Sequence, residues 1–429
     1  MADDAPPQAE PAAPAPSADS AVCRQGYLDK CRDFLCEPVG LFLATLDAQD
    51  AADAATDPQA FPEASDPVAV SLSGSNVDLF TGRLSYMQVF SICDSLSCLK
   101  ALKVLDLSYN NIDDAGAKAV ARGVETCKTL RTLSLRGNDI GPAGIASIVE
   151  ALNTASAAED GATLATLDVN GNPLTDEGGV VVAKFLETNT TLQALDVGNC
   201  EFGDVTVIAV CAALCEANKT LNDLNLENPR IRSIEDETSV HVAKMLARNN
   251  TLTALNLGKH RMRDHGCHTL VDYGLTRNAT LRKLNLRCNE LTEMGGAAIH
   301  RLLTQHPEVT WLDLSCNRLA TRGVMDVAQA LPFNYTLDHL DVRSNGIESD
   351  GIVALAENAL RSTRLTSLRL WGNHIGVRAA EAVMQLVTDS AEDTRPLELD
   401  VEPYEVGDRV CVARLSPNEP PSAVVMSVA

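Results

Sequence analysis

The sequence predicts an α/β solenoid: a stack of short units, each a strand, a turn and a helix, with a parallel sheet on the concave side of a horseshoe and helices on the convex side. Three observations predict it. A leading aliphatic recurs at Leu102, Leu130, Leu164, Leu192, Leu221, Leu252, Leu281, Val309, Leu337 and Leu365, spaced 28 to 34 residues apart. A turn asparagine follows at Asn110, Asn138, Asn172, Asn289, Asn317, Asn345 and Asn373. Six residues later come Gly116, Gly144, Gly178, Gly266, Gly295, Gly323 and Gly351, most of them in the same units, at the start of each predicted helix. A unit of this length buries no core alone, so the units must stack.

Residues 281–308 show how one unit works. Leu281, Leu284 and Leu286 alternate inward as a short strand, Asn289 sits at the turn, and Ile299, Leu302 and Leu303 form the apolar face of a helix. The inward Asn is expected to bond by its amide to backbone groups of neighbouring turns, forming a polar ladder along a buried edge. The seven turn asparagines are therefore structural, and Asn317→Ala is expected to cost about 1–3 kcal/mol. The glycine lets neighbouring helices approach closely.

In chain order, residues 1–20 are Ala, Pro and acidic residues with nothing to bury and read as disordered. Residues 21–66 hold a helical segment in which Tyr27, Leu28, Cys31, Phe34 and Leu35 share a face, broken near Pro38, followed by an Ala/Asp/Pro linker from 47. The segment reads as a cap on the first unit. Residues 67–101 form an atypical unit, with Val70 and Leu72 as its strand pair and Ser75 at the turn. Ten regular units occupy 102–387. Cys200, Pro229 and His260 replace the turn Asn in three successive units, and extra residues lie near 154–161 and 229–237. These departures suit either a local docking loop or neutral variation. Residues 388–415 read as a C-terminal cap, a hairpin with Val401, Val406, Val410 and Val412 in its strands and Gly407–Asp408 at its turn. The tail 416–429 is expected to be flexible.

Composition narrows the function. A net charge of -23 argues against nucleic acid as a direct partner. No apolar run is long enough to span a bilayer, and no membrane association or secretory leader is expected. The thirteen cysteines include no CxxC pair, which suits reduced thiols in a cytoplasmic compartment. His265, Cys267 and His268 lie close in sequence beside His260, but a third and fourth metal ligand have no source, so no metal is expected. There is no phosphate loop and no nucleophile with a histidine and acid at motif spacing. The expectation is no enzyme, no cofactor and no small-molecule ligand.

Binding is expected on the concave strand face. One outward position reads Asp106, Ser134, Asp168, Asp196, Asn225, Asn256, Asn285, Asp313, Asp341 and Arg369; two residues on lie Ser108, Arg136, Asn170, Gly198, Glu227, Gly258, Arg287, Ser315, Arg343 and Trp371. Asp168, Asp196, Asp313 and Asp341 would make an exposed acidic track, and Asp313→Ala would then change stability by no more than about 0.5 kcal/mol. At the C-terminal end Arg343, Arg369 and Trp371 look like an interface anchor for a partner protein or for the chain's own last segment.

The consensus LxxLxLxxNxLxxxGxxxL over 28 or 29 residues resembles the ribonuclease-inhibitor type of leucine-rich repeat. Trp371-Gly372-Asn373, Asp400-Val401-Glu402-Pro403-Tyr404, Val410–Ala413 and the helix around Tyr27–Cys31 are similar to the family of leucine-rich-repeat-containing protein thirty-four. After Ser416 this sequence runs to Pro, Ser and Val, where that family is expected to carry an aromatic tail. The resemblance implies a non-catalytic adaptor or scaffold among the subunits of a large axonemal complex, the radial spokes of a motile cilium or flagellum, or alternatively a regulatory scaffold binding a signalling or nuclear protein. It assigns no catalytic residues.

Overall fold

The structure is a computed structural model and describes residues 18–54, 69–75, 83–157, 164–231, 237–306, 308–392, 397–407 and 409–415. The expected tail 416–429 lies outside them, as do most of the tail 1–20, the linker residues 55–66, parts of both insertions and Asp408 at the expected hairpin turn. The chain divides into two compact units, residues 1–138 with 150–164, and 139–149 with 165–429.

The first unit opens with α1 (Ala18–Asp33) and α2 (Gly40–Ala54), separated around Pro38. The Tyr27 and Phe42 rings meet edge-on at 4.8 Å, and the Tyr27 hydroxyl accepts the Val39 N–H at 2.9 Å. α2 runs on past Leu46, where a linker was expected, because Asp-Ala-Gln-Asp-Ala-Ala-Asp-Ala is rich in the best helix former. Next come β1 (Ala69–Ser71) and α3 (Tyr86–Cys93), whose first turn Ser85 and Gln88 close with a reciprocal cap. Phe34 packs on Phe90 at 5.8 Å, so the N-terminal segment lies over the helix of the atypical unit. β2 (Val104–Asp106), α4 (Asp114–Thr126) and β3 (Thr132–Ser134) follow. The three strands are parallel and in register, with Val70, Leu105 and Leu133 pointing into the core.

The second unit repeats the same step. After α5 (Pro142–Ala157), strands and helices alternate: β4 (Thr166–Asp168), α6 (Thr175–Thr188), β5 (Ala194–Asp196), α7 (Asp204–Glu216), β6 (Asp223–Asn225), α8 (Glu237–Leu246), β7 (Ala254–Asn256) and α9 (Arg263–Thr269). Then come β8 (Lys283–Asn285), α10 (Gly296–Gln305), β9 (Trp311–Asp313), α11 (Ala320–Ala330), β10 (His339–Asp341), α12 (Ser349–Arg361), β11 (Ser367–Arg369) and α13 (Val377–Glu392). The central leucines from Leu167 to Leu368 stand opposite one another, strand to strand, and are all buried. Register holds through the rungs of Cys200, Pro229 and His260. α10 and α11 come so close at Gly296 that an added Cβ would lie 2.3 Å from the Gly323 carbonyl oxygen. That contact requires glycine.

α13 continues to Glu392, beyond the expected end of the array at 387. Its last turns are polar and solvated, held by Thr388 donating to the Met384 carbonyl and by the Gln385–Asp389 pair. β12 (Glu398–Leu399) adds a parallel edge to β11, and β13 (Val401–Val406) pairs antiparallel with β14 (Arg409–Arg414). Gly407 supplies a left-handed residue at their turn, with φ 61°.

Candidate protein-binding face and its supporting ladders

The turn asparagines satisfy the backbone where each strand bends. Asn317 accepts the N–H groups of Asn289 (2.8 Å) and Leu291 (3.1 Å) and donates to the carbonyls of Leu286 (3.0 Å) and Leu314 (2.8 Å). Asn110, Asn138, Asn172, Asn289, Asn345 and Asn373 also bond the backbone through their amides, several of them on both neighbouring turns. Two of the three departures keep the donor. His260 Nε2 lies 2.9 Å from the Leu226 carbonyl, and the Cys200 thiol points at the Val169 carbonyl. Burial pushes the His260 pKa down to about 4, so the ring is neutral and donates through Nε2. Pro229 has no side-chain donor, and the ladder is interrupted there.

Each turn also carries a left-handed residue just before the ladder position: Tyr109, Gly137, Gly171, Asn199, Asn228, Lys259, Cys288, Cys316, Ser344 and Gly372 all have positive φ. A second amide ladder lies on the other side of five of the units, at Asn189, Asn218, Asn249, Asn278 and Asn334, ahead of the leading leucine. Asn218 accepts the Leu221 N–H at 2.9 Å and donates to the Leu186 carbonyl at 2.9 Å; Asn249, Asn278 and Asn334 repeat the pattern. Sequence reasoning missed it, although the recurring Asn-x-Thr-Leu was visible. The same triplet is a glycosylation acceptor pattern, but these amides are buried and committed to backbone.

The expected acidic track is not on the surface. Asp168, Asp196, Asp313 and Asp341 are buried, at 5%, 9%, 2% and 1% exposure. Each carboxylate turns down to accept the N–H two residues on, as Asp313 does from Ser315 (2.7 Å) and Asp341 from Arg343 (2.9 Å). A three-residue strand ends there, and this short bond caps it. Asn225, Asn256 and Asn285 make the same bond with a neutral amide. Burial beside Asp341 holds the Asp313 carboxyl well above the ordinary carboxylate range. Arg369 is buried as well, and its guanidinium pairs with Glu398 of β12 at 2.8 Å. These five side chains brace the sheet and leave little for a partner to reach.

What faces solvent at the C-terminal end is a different set. Trp311 and His339 point away from the core on adjacent strands, and their rings stack at 5.2 Å with 6° between planes. His339 Nδ1 lies 2.9 Å from the Ser367 hydroxyl. Across the same face lie Arg343, whose Nε donates to Asp341 at 2.8 Å, and Trp371, whose ring lies under the Arg414 guanidinium at 5.8 Å. Both tryptophans of the chain are thus half-buried on one sheet face. Trp311 and His339 were missed by sequence reasoning because the outward position it used is the strand-end residue, two positions later. Taking the residue before each central leucine would have found them.

The histidines near 260 do not converge. His260 is in the ladder, His265 is exposed, and His268 contacts Arg301 and the Met294 carbonyl. Among the described residues no group of three His, Cys, Asp or Glu side chains could hold a metal ion, and no helix is long and apolar enough to cross a membrane. Burial pushes the thiols of Cys93, Cys200, Cys211 and Cys267 up to about 12, far from a reactive thiolate.

Comparison with known proteins agrees with this geometry. The Leucine Rich repeat family profile matches residues 100–121, 126–149, 162–183, 188–211, 277–299 and 333–356. Leucine-rich repeat-containing protein 34 of Mus musculus is 34% identical over 100 residues, 23% of this chain and 24% of that one. Ribonuclease inhibitor of Mus musculus is 27% identical over 218 residues, 49% of this chain and 44% of that one. The chain therefore spans about a quarter of the first relative and under half of the second. Among solved structures, the Rad7 and Elc1 complex in yeast superposes with a TM-score of 0.44 at 15% identity, covering 72% of this chain and 77% of that one. The chain carries leucine-rich repeats, consistent with the ribonuclease-inhibitor type, and is similar over part of its length to leucine-rich repeat-containing protein 34 and to ribonuclease inhibitor.

Proposed function

We propose that the chain is a non-catalytic adaptor that holds a partner protein on the C-terminal part of its sheet face, as a subunit of a motile-cilium axonemal complex of radial-spoke type. One observation carries the binding reading. Trp311, His339, Arg343 and Trp371 form a half-buried aromatic and cationic patch on a chain of net charge -23. Aromatic and arginine side chains on a rigid sheet are the residue types that anchor interfaces, because they bury much area at small entropic cost. The rigid array presents these side chains on one continuous sheet face, which suits a binding surface.

The ciliary assignment rests on partial similarity to leucine-rich repeat-containing protein 34. A second reading, a regulatory scaffold that captures a signalling or nuclear protein, draws support from similarity to ribonuclease inhibitor over about half the chain. Fractionation separates the two. Tagged full chain should remain with isolated axonemes after detergent and moderate salt and come off with a defined subassembly. Recovery wholly in the detergent-soluble fraction, bound to a nuclear or signalling protein, would replace the axonemal reading with the regulatory one.

A further inference from the structure

Two thiols on adjacent turns lie outside everything assigned so far. Cys288 and Cys316 occupy the same position of successive units, three residues after the paired Asn285 and Asp313 of β8 and β9. Both have the left-handed turn conformation, with φ of 54° and 57°, and their N–H groups bond to the next turn at Ser315 (3.0 Å) and Arg343 (2.8 Å). The turns are therefore stacked in register. Neighbouring rungs are about 4.7–4.9 Å apart, inside the roughly 4.4–6.8 Å Cα separation that a disulfide spans.

Side chains at this position touch across rungs. Three units earlier the Asn228 amide donates to the Asn199 amide oxygen at 2.8 Å, and Gly372 faces the Ser344 hydroxyl in the same way. The Cys288 thiol lies near enough to Cys316 and to the Arg287 guanidinium for both to shift its pKa. Burial raises its pKa, and the guanidinium draws it back. Both thiols are half-buried rather than sealed, whereas in another neighbouring pair, Cys31 and Cys36, Cys31 is only 1% exposed.

We propose that Cys288 and Cys316 form a reversible dithiol–disulfide site that ties two successive repeats together under a disulfide oxidant such as oxidised glutathione. One thiolate attacks oxidised glutathione, forming a mixed disulfide and releasing one glutathione thiolate. The second cysteine, losing its proton to solvent, attacks the protein sulfur of that bond and expels the other. Two thiols are oxidised to one disulfide and one glutathione disulfide is reduced to two glutathione thiols. A trivalent arsenical, which bridges two thiols at this spacing, should bind the same pair. The site stands on turn geometry and is independent of the partner-binding reading.

The test uses the reduced full chain, exposed to oxidised glutathione, quenched with N-ethylmaleimide and mapped by mass spectrometry. The Cys288 and Cys316 peptides should be joined, at least about five-fold faster than any other pair of thiols is linked. Cys288→Ser should leave Cys316 as a stable glutathione adduct and should lose capture by phenylarsine oxide. Serine fits this position, since Ser344 holds it in the next unit. The proposal is overturned if both thiols accumulate as separate glutathione adducts in the wild type. It is equally overturned if they remain free to maleimide while Cys31 and Cys36 become linked, or if phenylarsine oxide binds Cys288→Ser and wild type alike.

Discussion

Asparagine and aspartate hold this protein together by one device, a side-chain oxygen that accepts backbone N–H groups no strand or helix can use. That makes Asn317→Ala costly, about 1–3 kcal/mol, because a buried four-bond junction loses its partners. Asp313→Ala should cost about as much, since Ser315 N–H loses its acceptor in a buried site. Asp313→Asn should hold or raise stability at pH 7.5. The amide makes the bond that Asn285 makes one rung earlier, without a buried charge beside Asp341. The folded-state carboxyl has a raised pKa, so its ionisation costs stability at neutral pH, and the advantage of the variant should fade as pH falls towards the ordinary carboxylate range. Urea midpoints of the three variants at pH 7.5 and 5 decide this. His260 carries the opposite sign. Its folded pKa of about 4 lies below the unfolded 6.5, so its contribution is full above pH 6.5 and is lost as pH falls towards 4, by roughly 3 kcal/mol at most. His260→Asn keeps the ladder donor without the titration, and should retain more stability at pH 5 than the wild type does. The turn asparagines were legible because the residue type recurs at a fixed offset. The burial of the strand-end acids was not, because alternation assigns a side chain to a face without saying that it folds back onto its own backbone.

Elements follow from the same repetition, and they failed to be legible where repetition stops. β1 to β11 begin or end near the expected aliphatic positions, since each needs one buried aliphatic residue at its centre, Val70 in β1 and a leucine in the others. α2 and α13 overrun their expected ends because helix propensity and solvated polar turns continue a helix that hydrophobic periodicity has left. The N-terminal pair tests how local the packing is. Phe42 is fully buried against Tyr27, so Phe42→Ala should cost about 3–5 kcal/mol. In a stack each unit contacts only its neighbours. Hydrogen exchange should therefore quicken in α1, α3 and β1–β2 and stay unchanged in β8–β11. Uniform loss of protection along the chain would contradict a modular stack.

For the whole molecule, repetition leaves few ways for one face to differ from another except by the outward residues of its strands. Architecture was therefore legible from spacing, whereas the candidate site was only half so. Arg343 and Trp371 were visible, Arg369 turned out to serve the β12 edge, and Trp311 with His339 needed the register between strands to be seen as a pair. The central claim is that this patch holds a partner protein. The most direct measurement is quantitative pull-down from axonemal extract with full-length wild type, Trp311→Ala with Arg343→Ala, and Asp106→Ala, each checked for an unchanged unfolding midpoint. Loss of a hot-spot pair is worth about 2 kcal/mol or more. The account predicts that the double variant recovers at least about ten-fold less of the partner, while Asp106→Ala stays within two-fold of wild type. Equal recovery by all three proteins would contradict it.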